Sequence, residues 1–97
     1  MSVSFNQKLL VTEDTLINVI EGESVLLNLK SESYFGLDQI GTRMWNLMTA
    51  SDSIQAAYET LLDEYDVTAD MLRQDMRNLI EKLIVNGLVE VAGEKAA

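Results

Sequence analysis

Carboxylates are the side chains of this 97-residue chain best suited to acid–base or metal chemistry, with 16 Asp and Glu residues and neither His nor Cys. A chain without His and Cys contains no Ser-His-Asp triad, no Cys-His dyad, and no imidazole or thiolate ligand for zinc. The acids between positions 63 and 70 could bind Mg²⁺ or Ca²⁺, but they lack the Asp-x-Asp-x-Asp-Gly loop of an EF-hand. A solvated acidic helix explains them better, so the composition argues against an enzyme.

The few basic residues are concentrated on the third predicted helix. Three of the seven lie there, at Arg73, Arg77 and Lys82, and Asp75 and Glu81 interrupt them. This spacing is typical of a solvated helix face with i,i+4 ion pairs, and the alternative is contact with a partner that carries carboxylates. Duplex DNA is a poor partner, because a net charge of −9 repels phosphates.

Short β-branched and apolar segments predict three strands early in the chain, at residues 15–20, 25–30 and 34–37. Turn-forming residues separate them at 21–24 and 31–33. Connections this short join antiparallel neighbours, so the segments predict a three-stranded antiparallel meander.

After the third strand, apolar residues recur at helical spacing and predict three helices. Asp38 is a good N-cap for the first helix, in which Gly41 is expected to allow close packing against a neighbouring backbone. Asp52 and Gln55 fit a capping box at the start of the second helix.

The third helix is predicted over residues 69–86, between an N-cap at Thr68 and a left-handed residue at Gly87. Residues 88–91 could add a short final strand. Together the elements predict an α+β fold, in which a three-stranded antiparallel sheet is followed by three helices that cover one of its faces, as in a winged helix-turn-helix. One domain over residues 1–97 is expected, with an ordered core over about 5–91 and a frayed tail over 92–97.

No segment looks like a targeting signal, and no apolar run approaches the roughly 20 residues that span a membrane. The cytoplasm is therefore the expected location. No cofactor, metal, nucleic acid or membrane is expected as a partner.

The junction between the third strand and the first helix resembles the PqqD-like proteins, which are leader-recognition domains for ribosomally made, modified peptides. Members show an aromatic pair, a Leu, an Asn or Asp, a Gly and an Ile/Met-Trp pair at the spacing of Tyr34, Phe35, Leu37, Asp38, Gly41, Met44 and Trp45. The stretches 61–67 and 83–89 support the resemblance, which covers residues 16–91. A chain of this length is most similar to the discrete leader-binding protein of lasso-peptide clusters.

The resemblance implies a binding module without catalytic activity. An extended leader peptide would add as a strand to the free sheet edge beside the third helix, and the module would present it to a separate cysteine protease and a separate cyclase. Leaders of lasso clusters typically carry a Tyr and, a few residues later, a Pro. A Tyr needs a partly apolar slot with a polar mouth.

The candidate leader-binding residues lie on two elements. The third strand would supply the edge and its floor through Tyr34, Phe35, Gly36 and Leu37. The third helix would supply the wall through Leu72, Arg73, Asp75, Met76, Leu79 and Lys82.

The helix residues have different expected roles. The apolar ones would line a pocket, and the alternative is that they pack in the core, as periodic apolar faces usually do. Asp75 could accept a hydrogen bond from a leader Arg, Lys or Tyr, whereas Lys82 or Arg73 could pair with a leader carboxylate. Tyr34 and Phe35 point to opposite faces of the strand, so at most one of them is purely a core residue.

Two other functions remain open at this point. A winged-helix DNA-binding regulator would use Arg73, Arg77 and Lys82 on its recognition helix. An acidic protein–protein adaptor would have no role in leader binding, and the junction motif over residues 36–45 separates the first interpretation from it.

Overall fold

Eight secondary-structure elements follow one another in the computed structural model, which describes residues 3–92. They are β1 (Lys8–Val11), β2 (Thr15–Ile20), β3 (Glu23–Asn28), β4 (Ser33–Leu37), α1 (Gln39–Ala50), α2 (Ile54–Glu64), α3 (Ala69–Val85) and β5 (Val89–Ala92). The predicted α+β architecture of a three-stranded antiparallel sheet followed by three helices is confirmed.

The three-stranded sheet has the order β2-β3-β4, and both of its strand pairs are antiparallel. Glu21 and Gly22 connect β2 to β3 with positive φ angles of 54° and 84°, as a two-residue type I′ turn requires. Because this turn is shorter than predicted, β3 begins at Glu23 and not at Val25.

Asn28 ends β3 and attaches it to the end of α3. Its side-chain oxygen accepts hydrogen bonds from the backbone N–H groups of Lys30 and Ser31, which turns the chain towards β4. Its Nδ2 donates to the carbonyl groups of Asn86 and Gly87 at 3.1 Å each. The predicted strand over 25–30 is therefore too long at its end, since Leu29 and Lys30 belong to the turn.

The helices begin at side-chain caps. Asp38 and Thr68 cap α1 and α3 as predicted, by accepting from the backbone N–H of the residue three positions later. The predicted capping box of α2 is wrong, because Ser53, and not Asp52, accepts from the Ala56 N–H at 3.1 Å. Gln55 instead donates to Glu59 on the following turn.

The packing around Gly41 differs from the prediction. A Cβ atom there would lie 3.2 Å from Leu37 Cδ2 and 3.3 Å from Asp38 Oδ1. The close neighbours are therefore side chains of the preceding residues, and not the backbone of another element.

The N-terminal segment, residues 3–11, contains a strand that the sequence did not indicate. β1 pairs antiparallel with β5, and Leu9 lies opposite Val91. The predicted final strand is thus confirmed, and Ala92, which was assigned to the tail, is its last residue. The rest of the predicted tail, residues 93–97, lies outside the described residues.

The core lies between the helices and the inner face of the sheet. It contains side chains from the N-terminal segment, the sheet, all three helices and β5, including Phe5, Leu9, Leu26, Trp45, Met48, Ile54, Leu61, Met76, Ile80, Leu83 and Leu88. Ser24 and Thr42 share a buried hydroxyl–hydroxyl hydrogen bond of 2.7 Å that joins β3 to α1. None of the helices within residues 3–92 is long and apolar enough to cross a membrane.

Candidate functional site

One edge of the sheet, the outer edge of β4, has no partner strand among residues 3–92. The type I′ turn directs the N–H of Glu23 towards β2, and the direction alternates along β3. The backbone groups of Ser24, Leu26 and Asn28 therefore point to β4. Their register partners on β4 are Leu37, Phe35 and Ser33.

The two remaining residues of β4, Tyr34 and Gly36, consequently direct their N–H and C=O groups away from β3. These four groups form the free part of the edge. An unpaired edge of this kind is a template for a further strand.

The side chains of β4 alternate between the two faces of the sheet. Leu37 is buried and Phe35 is half-buried on the inner face, where they meet the core. Tyr34 is 75% exposed on the outer face, which it shares with Gly36. Phe35 is therefore the aromatic residue of the pair that reaches the core.

An open groove of about 490 Å³ lies between β4 and α3. Its lining combines the end of β4, the start of α1 and one face of α3, through Phe35, Gly36, Leu37, Asp38, Ile40, Gly41, Met44, Asp75, Asn78, Leu79 and Lys82. Six of the ten residues predicted from the sequence thus lie along one groove. They are Phe35, Gly36, Leu37, Asp75, Leu79 and Lys82.

The helix wall of the groove follows from the periodicity of α3. Asp75, Asn78, Leu79 and Lys82 are separated by three, one and three residues and so lie on one face of the helix. Leu79 is half-buried and packs against the core, whereas Asp75 and Lys82 are exposed. The wall therefore has an apolar centre between an anionic and a cationic group.

Leu72 and Met76 lie on a different face of α3. They are 3% and 0% exposed and belong to the core stripe that continues through Ile80 and Leu83. The structure thus places them behind the groove, because the face of α3 towards the sheet is occupied by core packing.

Arg73 lies on a third face of α3, away from the groove. Its guanidinium carbon is 4.8 Å from the ring centroid of Phe5 and 4.4 Å from that of Tyr58. Arg77 stacks on Phe5 as well and donates to the Val3 carbonyl oxygen at 2.8 Å. Two of the three basic residues of α3 are therefore engaged with the N-terminal segment, which the sequence did not indicate.

The groove also contains Ile40, Met44 and Asn78, which the sequence did not indicate as site residues. Asn78 could have been found from its spacing, since it follows Asp75 by three residues and precedes Lys82 by four. Ile40 is 51% exposed on the first turn of α1, and this exposure is visible only in the tertiary structure.

The charged side chains of the groove have no ion-pair partner within the described residues. The single ion pair within residues 3–92 lies outside the groove and joins Arg43 on α1 to Glu64 on α2. Its hydrogen bond from the guanidinium lowers the pKa of Glu64 and raises that of Arg43. Asp75 and Lys82 are thus available to a ligand in the groove.

Two comparisons with known proteins gave matches. A solved structure described as TbiB1 in complex with the TbiA(beta) leader peptide superposes with a TM-score of 0.78 at 27% sequence identity. The match covers 91% of this chain and 99% of that one. A search of curated proteins produced no match.

The sequence profile of the family described as Coenzyme PQQ synthesis protein D (PqqD) matches residues 23–89, which include β3, β4, all three helices and the start of β5. The chain therefore belongs to the PqqD family.

Proposed function

We propose that this protein is a recognition module without catalytic activity, which binds the leader of a ribosomally synthesised precursor peptide as an added strand on β4. The observation that carries this function is the coincidence of a free strand edge with a groove. Gly36, whose backbone groups point outwards like those of Tyr34, lines the hollow between β4 and α3.

The edge supplies affinity through the backbone. A bound strand exchanges hydrogen bonds with the N–H and C=O groups of Tyr34 and Gly36, whatever its sequence. Its side chains then alternate between the two faces of the extended sheet. The leader residue opposite Phe35 directs its side chain towards α3 and into the groove.

The groove supplies specificity through its lining. Phe35, Met44 and Leu79 offer apolar contact area, and Asp75 and Lys82 place a carboxylate and an ammonium group at the rim. A Tyr side chain fits this chemistry, because its ring needs an apolar slot and its hydroxyl needs a polar partner. The Tyr and Pro expected in such leaders are consistent with one anchored ring and a rigid extended segment after it.

The similarity to TbiB1 supports this function, since that structure holds a leader peptide and 91% of the present chain aligns with it. Leu72, Arg73 and Met76 take no direct part in the proposed contact. Leu72 and Met76 support α3 from the core side, and Arg73 stacks on Phe5 and Tyr58.

A binding module has to deliver its ligand to an enzyme. We propose that the bound leader is presented in the cytoplasm to a separate cysteine protease and a cyclase of the same pathway. The free edge and groove occupy one side of the molecule and leave the acidic surface of α2 and the outer face of the sheet for such partners.

A DNA-binding role is disfavoured, because Arg73 and Arg77 are turned to the N-terminal segment and the net charge is −9.

Fluorescence polarisation tests the proposal directly. The probe is a labelled cognate leader peptide, and a scrambled leader of equal composition is the control. We expect the leader to bind saturably and the scrambled peptide to bind at least about tenfold more weakly. Such a ratio corresponds to a difference in binding free energy of roughly 1.4 kcal/mol or more. A folded protein that binds neither peptide would contradict the function.

A further inference from the structure

The other edge of the sheet, β2, is unusually apolar for a strand in this position. Leu16, Ile17, Val19 and Ile20 are 54%, 41%, 51% and 62% exposed. Successive strand residues point to opposite faces, so these values mean that β2 is open to solvent on both faces. An edge strand that is apolar on both faces is a site for association with another chain.

The backbone of β2 is also free on its outer side. The turn pairs Ile20 with Glu23, so the backbone groups of Ile20 point to β3. Hydrogen-bonding direction alternates along a strand, and the backbone groups of Asn18 and Leu16 therefore point to β3 as well. Ile17 and Val19 therefore direct their N–H and C=O groups outwards. No strand of residues 3–92 pairs with this side of β2.

The usual protections of an edge are missing from β2. Natural edge strands carry a Lys, a Pro or a bulge that prevents further pairing. The six residues of β2 contain no charged residue and no Pro, and their register with β3 is continuous. The strand is thus built as an open pairing site, with apolar contacts available above and below it.

Charge around β2 identifies the kind of partner. Glu13 and Asp14 precede the strand, and Glu21 and Glu23 follow it closely. Over residues 12–38 there are six acidic residues against one basic residue, Lys30. The pairing site is therefore an apolar segment with negative charge at both ends.

A second copy of this chain is a poor occupant. Antiparallel pairing of two β2 strands would bring Glu13 and Asp14 of one copy next to Glu21 of the other, at both ends of the interface. Parallel pairing would place identical acids side by side. Like charges at close range oppose association, so the charge pattern favours a different protein with basic residues at the ends of its strand.

We infer that β2 is the docking edge for an apolar strand of another protein, one flanked on both sides by Lys or Arg. The site is independent of the β4 edge, because β3 lies between them. Two strand spacings separate β2 from β4, a distance of about 10 Å. A protein docked on β2 is therefore held close to a peptide on β4 without competing for the same backbone groups.

The experiment uses the full chain, labelled with ¹⁵N, and two synthetic peptides. One peptide alternates Val and Thr and ends in Lys pairs, and the other has Glu pairs in their place. We expect saturable amide shifts at Ile17 and Val19 with the Lys peptide, which weaken with added salt, and none with the Glu peptide. The double variant Ile17→Lys/Val19→Lys should lose these shifts and keep its circular dichroism spectrum, because both side chains are exposed.

Val85→Lys is the matched control for added positive charge, since Val85 is 84% exposed on α3, far along the chain from β2. It should bind the Lys peptide as the wild type does. The inference is overturned if the Lys peptide leaves β2 unshifted or shifts β4 instead, or if both peptides bind equally. It is also overturned if light scattering shows a dimer of the wild type that Ile17→Lys/Val19→Lys abolishes.

Discussion

Leu79 is the residue at which the difference between core and groove matters most for binding. It is half-buried, contacts the core with part of its surface, and lies in the groove between Asp75 and Lys82. Leu79→Asp should abolish leader binding, because a carboxylate replaces the apolar centre of the helix wall. Fluorescence polarisation measures the loss, and circular dichroism should remain helical.

The matched control for this variant is Asn78→Asp. It adds the same charge one position earlier on an exposed side chain of the same groove. Binding should weaken much less than in Leu79→Asp. If Leu79→Asp unfolds the domain, Leu79 is a core residue and does not belong to the site.

Gly87 is expected to contribute to stability and not to binding. Its φ of 70° is left-handed, and its N–H bonds to the Ile84 carbonyl at the end of α3. A Cβ atom there would also lie 2.7 Å from Asn28 Nδ2. Gly87→Ala should therefore lower the free energy of unfolding by about 1–2 kcal/mol from the left-handed conformation alone, with the contact to Asn28 adding to it.

Urea denaturation measures this change, and Gly36→Ala provides the comparison. No atom lies within 4 Å of a Cβ built at Gly36, and its φ is not positive. The free energy of unfolding should therefore change little in Gly36→Ala. Equal losses in the two variants would contradict the role assigned to Gly87.

Strand addition at the β4 edge predicts how chemical changes in the leader backbone affect binding, so this test needs no mutation of the protein. Only Tyr34 and Gly36 direct backbone groups outwards, so only alternate residues of the leader can bond to them. N-methylation of single leader residues should therefore weaken binding with a period of two, because each methyl group removes one donor. A uniform effect in fluorescence polarisation, or none, would contradict strand addition.

The ion pair between α1 and α2 predicts a pH effect. Arg43 Nε donates to Glu64 Oε1 at 3.0 Å, and this hydrogen bond holds the pKa of Glu64 below its ordinary value of 4.5. Since the folded-state pKa is lowered, the pair stabilises the fold above pH 4.5, and this contribution is lost as the pH falls through the lowered pKa. The effect on stability is small, because the pair is partly exposed.

Titration by NMR of the Glu64 carboxyl carbon tests the pH effect. The pKa in wild-type protein should lie below that in Arg43→Met, where it should approach 4.5. An unchanged pKa of Glu64 in Arg43→Met would show that the pair does not form in solution.

At the scale of the whole molecule, the mode of binding predicts the response to salt. The protein carries a net charge of −9, but the proposed contacts are backbone hydrogen bonds and an apolar groove. Leader affinity should therefore fall only modestly between about 50 and 500 mM salt, since salt screens exposed charges and not buried contacts. A steep fall, measured by repeating the polarisation titration across this range, would mean that Asp75 and Lys82 dominate recognition.

Local patterns in the sequence were sufficient for most of the fold. The strands β2 and β4, the caps at Asp38 and Thr68, and the left-handed Gly87 depend on neighbouring residues, and all were predicted close to their observed positions. β1 was missed because its four residues show no clear alternation, and its partner β5 lies far along the chain. The cap of α2 was assigned one residue early, because Asp52 and Ser53 are both good N-caps.

The sequence by itself determined that this protein is an acidic α+β chain without His or Cys, and its resemblance to the PqqD-like proteins predicted a candidate site on β4 and α3. Periodicity reports only that a residue lies on a helix or strand face, because every apolar face has the same spacing whichever element covers it. Tertiary packing alone decided that Leu79 opens to the groove while Leu72 and Met76 close the core. It also decided that Arg73 stacks on Phe5, since that contact joins residues that lie far apart in the sequence.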